Sequence, residues 1–388
     1  MIDRRLGTAL RLASEHFPVL TLLGPRQSGK TTLVRALFPE HTYINLENPQ
    51  TRALFRQDAR NLLRDGTERL ILDEVQREPE VLSWVQVFAD RTDEPGRFVL
   101  TGSNQPALGE AISQSLAGRT SMHYLLPLSL EELSAAGLLG ERDEMLFRGF
   151  LPRLYDAALD PAELYSAYFA TYVERDVRRL INVKDLSKFE VFVRLLAGRV
   201  GQLMNLSALA GDVGVSSTTL SGWVSALEAS FVVFRLQPYH SNIGKRLVKT
   251  PKLYFTEPGL LAWLLQIESP SQISRDPLLG GIFENMVVLE ALKAAYNRAK
   301  PPQLSFYRDR SGMEIDLIRE YQRRPFAVEI KAGTTFTFDM MRSLKRFGEF
   351  QGELCGAGLI YGGDEEHLSD GIKIVPYSRT ARMLFPDE

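Results

Sequence analysis

A glycine-rich turn lies between an apolar segment and a helical pattern near the start of the chain. Residues 24–31 read GPRQSGKT, which matches G-x-x-x-x-G-K-[ST], and the apolar run FPVLTLL (17–23) stands before it. Glycines let backbone amides surround phosphate oxygens, and the N-terminus of the following helix favours negative charge. The motif therefore predicts a strand, a phosphate-binding loop and a helix that together bind ATP. Its predicted nucleotide-binding residues are Gly24, Pro25, Arg26, Gln27, Ser28, Gly29, Lys30, Thr31 and Thr32.

Two acids end a second apolar run and complement the loop. The segment LILDE (70–74) is a strand pattern that ends in Asp73 and Glu74. Paired carboxylates at the end of a buried strand are costly unless they are solvated or functional. We predict that Asp73 holds Mg²⁺ together with Thr31, and that Glu74 orients the attacking water.

Strand patterns alternate with helical patterns through the first 130 residues, which predicts a parallel α/β sheet covered by helices on both faces. The strand RFVLTGSN (97–104) ends in Ser103 and Asn104, which are predicted to sense the γ-phosphate. Arg119 precedes the next strand. It is a candidate catalytic arginine, in cis or from a neighbouring subunit, and the alternative is a surface arginine.

These motifs together resemble the AAA-type ATPases. More narrowly, the chain resembles a prokaryotic family of uncharacterised AAA-type ATP-binding proteins that carry a C-terminal domain of unknown function. The resemblance covers essentially the whole chain, with further landmarks at YVERDV (172–177), GQLMNLSALA (201–210), TPKLYF (250–255) and FENMVVLEAL (283–292). FTEPGL (255–260) departs from the expected pattern at Glu257 and Pro258, so no role is predicted for Glu257. The resemblance implies the fold and ATP binding, and little about biological purpose.

The middle of the chain is predicted to be helical, with a winged helix-turn-helix after it. Gly214 and Ser216 supply a turn and a helix N-cap between two helical patterns. The following pair of strand patterns surrounds a basic loop with Lys245, Arg246, Lys249 and Lys252, which could follow a nucleic-acid backbone. The second helix lacks Lys and Arg, so guanine readout is not expected, and a plain packing or protein-contact module is the alternative.

Four polar residues of the last segment resemble the PD-(D/E)xK restriction-endonuclease-like fold in their order. Glu284 lies on a predicted helix, Asp316 on a strand, and Glu329 and Lys331 two apart on the next strand. In a nuclease the acids would bind Mg²⁺ and the lysine would orient the nucleophile. The alternatives are a fold without cleavage, a partly buried ion pair, or nucleic-acid binding alone.

Composition excludes some classes of protein and indicates the cellular location. The net charge of −2 excludes a strongly basic nucleic-acid coat, and the single cysteine excludes an intrachain disulfide framework. No run of about 18 apolar residues occurs, so we expect no membrane partner and a cytoplasmic location.

We therefore predict an α/β protein with four segments: an AAA-type P-loop core (1–128), a helical lid or connector (129–200), a winged helix (201–256) and a PD-(D/E)xK nuclease-like domain (257–388). The predicted function is Mg²⁺-dependent ATP hydrolysis whose nucleotide state controls DNA or RNA binding or processing. Two other classes stay open: a regulatory ATPase switch acting on a protein partner, and a motor acting on nucleic acid. Homo-oligomerisation is open as well.

Overall fold

The computed structural model describes residues 2–92, 94–103, 106–177, 185–239 and 250–386. The chain divides into two compact units. The N-terminal unit comprises Met1–Leu128, Ala229–Phe231 and Tyr296–Lys300. The C-terminal unit comprises Ser129–Glu228, Val232–Ala295 and Pro301–Glu388.

A five-stranded, fully parallel sheet forms the centre of the N-terminal unit, as the alternating pattern predicted. Its strands are β1 (Val19–Leu23), β2 (Thr42–Asn45), β3 (Leu70–Asp73), β4 (Phe98–Gly102) and β5 (Thr120–Tyr124), in the order β2-β3-β4-β1-β5. Its helices are α1 (Leu6–Ser14), α2 (Lys30–Leu37), α3 (Pro49–Gln57), α4 (Ala59–Leu62), α5 (Val81–Thr92) and α6 (Pro106–Ser115). Short 3₁₀ turns cover Arg64–Gly66 and Val75–Arg77.

Alternate residues of each strand enter one of two apolar cores. Leu70 and Leu72 belong to one core, whereas Ile71 belongs to the other. Because successive side chains of a strand point to opposite faces, the sheet is buried on both sides. Such a sheet is the expected product of nearly continuous apolar strand patterns.

Helices form the first part of the C-terminal unit. They are α7 (Leu130–Ala135), α8 (Arg142–Arg148), α9 (Arg153–Asp156), α10 (Pro161–Tyr168), α11 (Leu186–Ala197), α12 (Leu206–Val213) and α13 (Ser217–Ala229). A π-helix, Phe169–Val177, continues α10. Between α12 and α13, Gly214 has a φ of 71° and Ser216 Oγ accepts a hydrogen bond from Thr219 N. These residues therefore form the turn and the cap that separate the two helices.

An eight-stranded mixed sheet follows, with the order β12-β13-β11-β10-β9-β8-β6-β7. Its strands are β6 (Val233–Pro238), β7 (Lys252–Phe255), β8 (Leu304–Arg308), β9 (Glu314–Tyr321), β10 (Arg324–Lys331), β11 (Gly356–Tyr361), β12 (His367–Ser369) and β13 (Ile372–Pro376). The remaining helices are α14 (Pro258–Leu264), α15 (Pro270–Ile273), α16 (Leu279–Asn297), α17 (Arg342–Gln351) and α18 (Thr380–Leu384), with 3₁₀ turns at Phe338–Met341 and Tyr377–Arg379.

The two strands predicted as a wing belong to this sheet. Strand β6 pairs with β7 in antiparallel fashion and with β8 in parallel fashion. The segment boundary predicted at 256 therefore separates strands that the structure joins in one sheet. Sequence spacing could not reveal this because β6 and β8 are far apart along the chain.

Candidate functional site

The phosphate-binding loop connects β1 to α2 in the N-terminal unit. A Cβ on Gly24 would lie 2.1 Å from Leu125 O, so only glycine fits there. Gly29 takes a φ of 91° directly before α2, a conformation that glycine adopts without strain. Gly24 and Gly29 therefore allow the loop to turn tightly between the strand and the helix. Of the predicted loop residues, Pro25 and Ser28 are buried, Arg26 and Gly29 are partly exposed, and Gln27 and Thr32 are exposed.

The Lys30 ammonium group is buried beneath this loop. Its Nζ donates to Gly24 O at 3.0 Å and to Pro25 O at 2.7 Å. Burial lowers the pKa of Lys30 to about 8, although the Glu74 and Asp73 carboxylates oppose the shift. A buried cation among loop carbonyls is poised to bind a phosphate group that neutralises it.

Three hydroxyl groups converge on the Asp73 carboxylate at the end of β3. Thr31 Oγ1 donates to Oδ2 at 3.0 Å and to Oδ1 at 3.2 Å. Tyr43 on β2 donates its phenol proton to Oδ2 at 2.6 Å, and Thr101 on β4 donates to Oδ1. Residue spacing in the sequence does not identify Tyr43 or Thr101, because neither lies in a pattern that points to Asp73.

Oxygen donors at this point suit Mg²⁺, which nucleotide-binding sites hold through one or two protein oxygens and the substrate phosphates. The Thr31 hydroxyl oxygen keeps lone pairs while its proton is donated to Asp73. The described ranges contain no group of three His, Cys, Asp or Glu side chains that could hold a metal ion. A site built from Thr31, Asp73 and phosphate oxygens needs no such group.

Glu74 and Ser103 lie just beyond the ends of β3 and β4. Glu74 has a φ of 60°, and Gln76 Nε2 donates to its carboxylate. Ser103 is buried, and its Oγ has no hydrogen-bond partner within the described ranges. Strand β4 lies between β3 and β1, and all three strands are parallel. Their carboxyl ends therefore lie side by side, at the end of the sheet where the phosphate-binding loop follows β1. The predicted sensor Asn104 lies outside the described residues.

Arg119 lies at the other end of the sheet, where the strands begin. The residue after it, Thr120, pairs with Val19 at the start of β1, whereas the loop follows Leu23 at the end of β1. About 13 Å of strand separates the two ends. Arg119 donates to both oxygens of Asp90. Of the two alternatives open for Arg119, this placement argues against action in cis, and action from a neighbouring subunit stays a prediction.

A second group of ionisable side chains lies in the C-terminal unit. Lys331 Nζ is 2.7 Å from Glu329 Oε1 and 3.6 Å from Asp316 Oδ2. Lys252 Nζ is 2.8 Å from Glu284 Oε1 and 2.5 Å from Glu314 Oε1. The four residues named from the sequence thus lie in two ion-paired groups, which interact electrostatically through Asp316. Together with Lys252 and Glu314 they are called the carboxylate–lysine cluster. Tyr254 also donates to Glu284 at 2.6 Å.

Burial and mutual repulsion raise two pKa values in this cluster. Burial, and next the Asp316 charge, raise the pKa of Glu284 to about 7 and the pKa of Glu329 to about 8. Glu329 Oε2 is buried, and no described residue forms a hydrogen bond with it. The ammonium groups of Lys252 and Lys331 contact these carboxylates.

Lys252 does not belong to an exposed basic loop. Its side chain is 3% exposed and is held by two carboxylates, so it cannot follow a phosphate backbone as predicted. Lys245, Arg246 and Lys249 lie outside the described residues. Glu257, for which no role was predicted, is a buried N-cap of α14 that accepts a hydrogen bond from Tyr165 at 2.8 Å.

Comparison with known proteins agrees with the site in the N-terminal unit. The family model described as "AAA domain" matches residues 16–134. Two models, each described as a domain of unknown function, match residues 140–271 (DUF8612) and 279–380 (DUF4143). Together with the parallel sheet and the phosphate-binding loop, the first match identifies residues 16–134 as a P-loop ATPase domain of the AAA type.

Relatives extend the similarity to the whole chain. An uncharacterized protein of Mycobacterium tuberculosis is 34% identical over 385 residues, which cover 97% of this chain and 84% of the relative. The chain belongs to the same family as that protein. An uncharacterized protein of Haemophilus influenzae is 24% identical over 72% of this chain and 75% of its own. Among solved structures, the Walker-type ATPase of Pyrococcus abyssi gives a TM-score of 0.46 at 15% identity, covering 68% of this chain and 96% of that one.

No described helix has the length and apolar character needed to cross a bilayer.

Proposed function

We propose that the protein hydrolyses ATP with Mg²⁺ at the site formed by Lys30, Thr31, Asp73 and Glu74. One observation carries the proposal: Thr31, the residue after the phosphate-binding lysine, donates its hydroxyl proton to Asp73, the acid that ends β3. This contact places the oxygens suited to Mg²⁺ beside the loop suited to phosphates.

Each residue then has a chemical role. Lys30 and the loop amides bind the phosphate oxygens and stabilise the charge that develops on them. Thr31 and Asp73 would hold Mg²⁺, which neutralises phosphate charge. Glu74 orients the attacking water, and the Ser103 hydroxyl donates to the γ-phosphate. Arg119 would contribute only from a neighbouring subunit of a homo-oligomer.

The deciding experiment measures ATP hydrolysis by the wild type, Lys30→Ala and Glu74→Gln, with Mg²⁺ or with EDTA. We expect Lys30→Ala to lose ATP binding. Glu74→Gln should keep binding and lose at least about a hundredfold in turnover, the scale of one misplaced catalytic group. Equal turnover in all three proteins would refute the proposal.

A second candidate function is hydrolysis of a nucleic-acid phosphodiester at the carboxylate–lysine cluster, under control of the nucleotide state. Glu329 Oε2 favours it, because this buried carboxylate oxygen has no hydrogen-bond partner among the described residues, and such an atom is costly to maintain unless it serves a ligand. The ion pairs of Lys252 and Lys331 favour the competing function, a switch that acts on a protein partner through a non-catalytic C-terminal unit.

Nicking of DNA and RNA by the wild type and Lys331→Ala, with Mg²⁺ or Mn²⁺ and with ATP or ADP, separates these functions. Cleavage that Lys331→Ala abolishes supports the nuclease. Absence of cleavage on every substrate rejects it and leaves the switch. Stimulation of ATP hydrolysis by DNA or RNA would favour a nucleic-acid partner, including the motor function.

The single cysteine is compatible with the cytoplasmic location that we propose.

A further inference from the structure

The Asp73 carboxylate is held by hydroxyl groups from three separate elements. Thr31 comes from α2, Tyr43 from β2 and Thr101 from β4, and Asp73 itself is 4% exposed. Together the three donors engage both carboxylate oxygens and so restrict rotation of the carboxylate plane. Thr31 is part of the phosphate-binding motif and Thr101 lies in the strand RFVLTGSN, whereas Tyr43 belongs to no nucleotide motif in the sequence.

Tyr43 reaches Asp73 from the neighbouring strand because of the parallel register. Tyr43 pairs with Ile71 and Asn45 pairs with Asp73, so Tyr43 lies one strand period before the acid and on the same face. Its long side chain spans this interval, and its hydroxyl lies 2.6 Å from Asp73 Oδ2.

The Tyr43 ring is fixed independently of its hydroxyl. It packs against the apolar core that contains Ile71 and Val99, and the Arg35 guanidinium lies 4.9 Å from the ring centroid. A phenylalanine would keep the apolar packing and the cation–π contact. The hydroxyl contact with Asp73 can therefore be removed without removing the ring.

We propose that Tyr43 is a positioning residue that orients Asp73 for Mg²⁺ in the nucleotide complex. The inference rests on the proposed role of Thr31 and Asp73 as the Mg²⁺-holding residues. Hydrogen bonds to the ligands of a metal fix their orientation, and their loss typically lowers metal affinity about 10–100-fold. Tyr43 acts through Asp73 and touches neither metal nor phosphate.

The test measures binding of a fluorescent, non-hydrolysable ATP analogue in EDTA and at increasing Mg²⁺. For Tyr43→Phe we expect the affinity in EDTA to stay within about twofold, while the Mg²⁺ concentration for half-maximal effect rises about tenfold or more. Thr101→Val removes another donor to Asp73 and should shift the Mg²⁺ titration in the same direction. Tyr124→Phe is the matched control, because the Tyr124 ring packs against Phe231 and Tyr296 in the same unit.

Overlapping Mg²⁺ titrations for Tyr43→Phe and the wild type would overturn the inference, provided that Asp73→Asn abolishes the Mg²⁺ effect. An Mg²⁺ effect that survives in Asp73→Asn would instead overturn the proposed site itself. A variant that binds more weakly in EDTA and in Mg²⁺ by the same factor would show a merely structural role for Tyr43. The melting temperature of each variant, measured without nucleotide, identifies loss of folding.

Discussion

Thr31 Oγ1 and Asp73 Oδ2 are 3.0 Å apart, although 42 positions separate the two residues along the chain. The contact joins the helix that follows the phosphate-binding loop to the end of a strand that is not adjacent to β1. Strand β4 lies between β3 and β1, and its Thr101 hydroxyl donates a hydrogen bond to the same Asp73 carboxylate. The proposed nucleotide site is therefore assembled by the order of the strands and not by the loop alone.

The pH dependence of ATP affinity should follow the deprotonation of the Lys30 ammonium group. Its pKa is about 8, so the ammonium form dominates below pH 8 and is lost above it. ATP binds to the charged form, so affinity should be constant below about pH 8 and fall by up to about tenfold per pH unit above it. Nucleotide titrations from pH 7 to 9.5 check this.

Lys30→Arg is the control for that experiment, because a guanidinium remains charged throughout this range. Its ATP affinity should be independent of pH whatever its absolute value. Parallel pH profiles for the two proteins would contradict the assignment to Lys30.

Arg119→Ala should leave ATP affinity within about twofold of the wild type, because Arg119 lies at the far edge of its own sheet. If turnover falls, mixing Arg119→Ala with Lys30→Ala should restore it, since each protein supplies what the other lacks. Turnover measured over a range of mixing ratios checks this. A loss of ATP affinity in Arg119→Ala would contradict the placement.

Gly24→Ala should weaken both folding and nucleotide binding. The added Cβ would lie 2.1 Å from Leu125 O, so the loop must shift, at about 1–3 kcal/mol. Gly222→Ala provides a control, because Gly222 lies in α13 and the new Cβ would meet no described atom within 4 Å beyond its chain neighbours and the backbone of its own helix. That control should stabilise the protein by up to about 1 kcal/mol. Denaturant unfolding with and without ATP measures the free energy of unfolding of both variants. Equal stability of Gly24→Ala and Gly222→Ala would contradict the close approach of Gly24 to Leu125 O.

The carboxylate–lysine cluster should make stability fall as the pH rises. The folded pKa values of Glu284 and Glu329, about 7 and about 8, exceed their ordinary value of 4.5. Between pH 4.5 and 8 the folded chain therefore binds more protons than the unfolded chain, and the free energy of unfolding decreases with pH.

The double variant Glu284→Gln/Glu329→Gln should lose that part of the pH dependence. We expect its melting temperature to change less between pH 5.5 and 8 than that of the wild type. Glu349→Gln, an exposed acid in the same unit, should follow the wild type. Identical pH profiles for the double variant and the wild type would show that the cluster does not titrate in this range.

The sequence by itself determined the phosphate-binding loop, the acids at the end of β3 and the parallel sheet. These features are local: glycine spacing, a strand pattern before it and a helical pattern after it carry the information within a few residues. The two helices separated by Gly214 were likewise predictable, because their turn and cap are set by neighbouring residues.

Only the tertiary structure decided which side chains meet. The parallel pairing of β5 with β1 placed Arg119 at the end of the sheet opposite the loop, and the register of β2 with β3 brought the Tyr43 hydroxyl to Asp73. The same is true of Lys252, which the sequence presents as part of a basic loop and the fold buries between Glu284 and Glu314. The physical reason is that burial and ion pairing depend on contacts between strands and helices remote in sequence, which residue spacing does not encode.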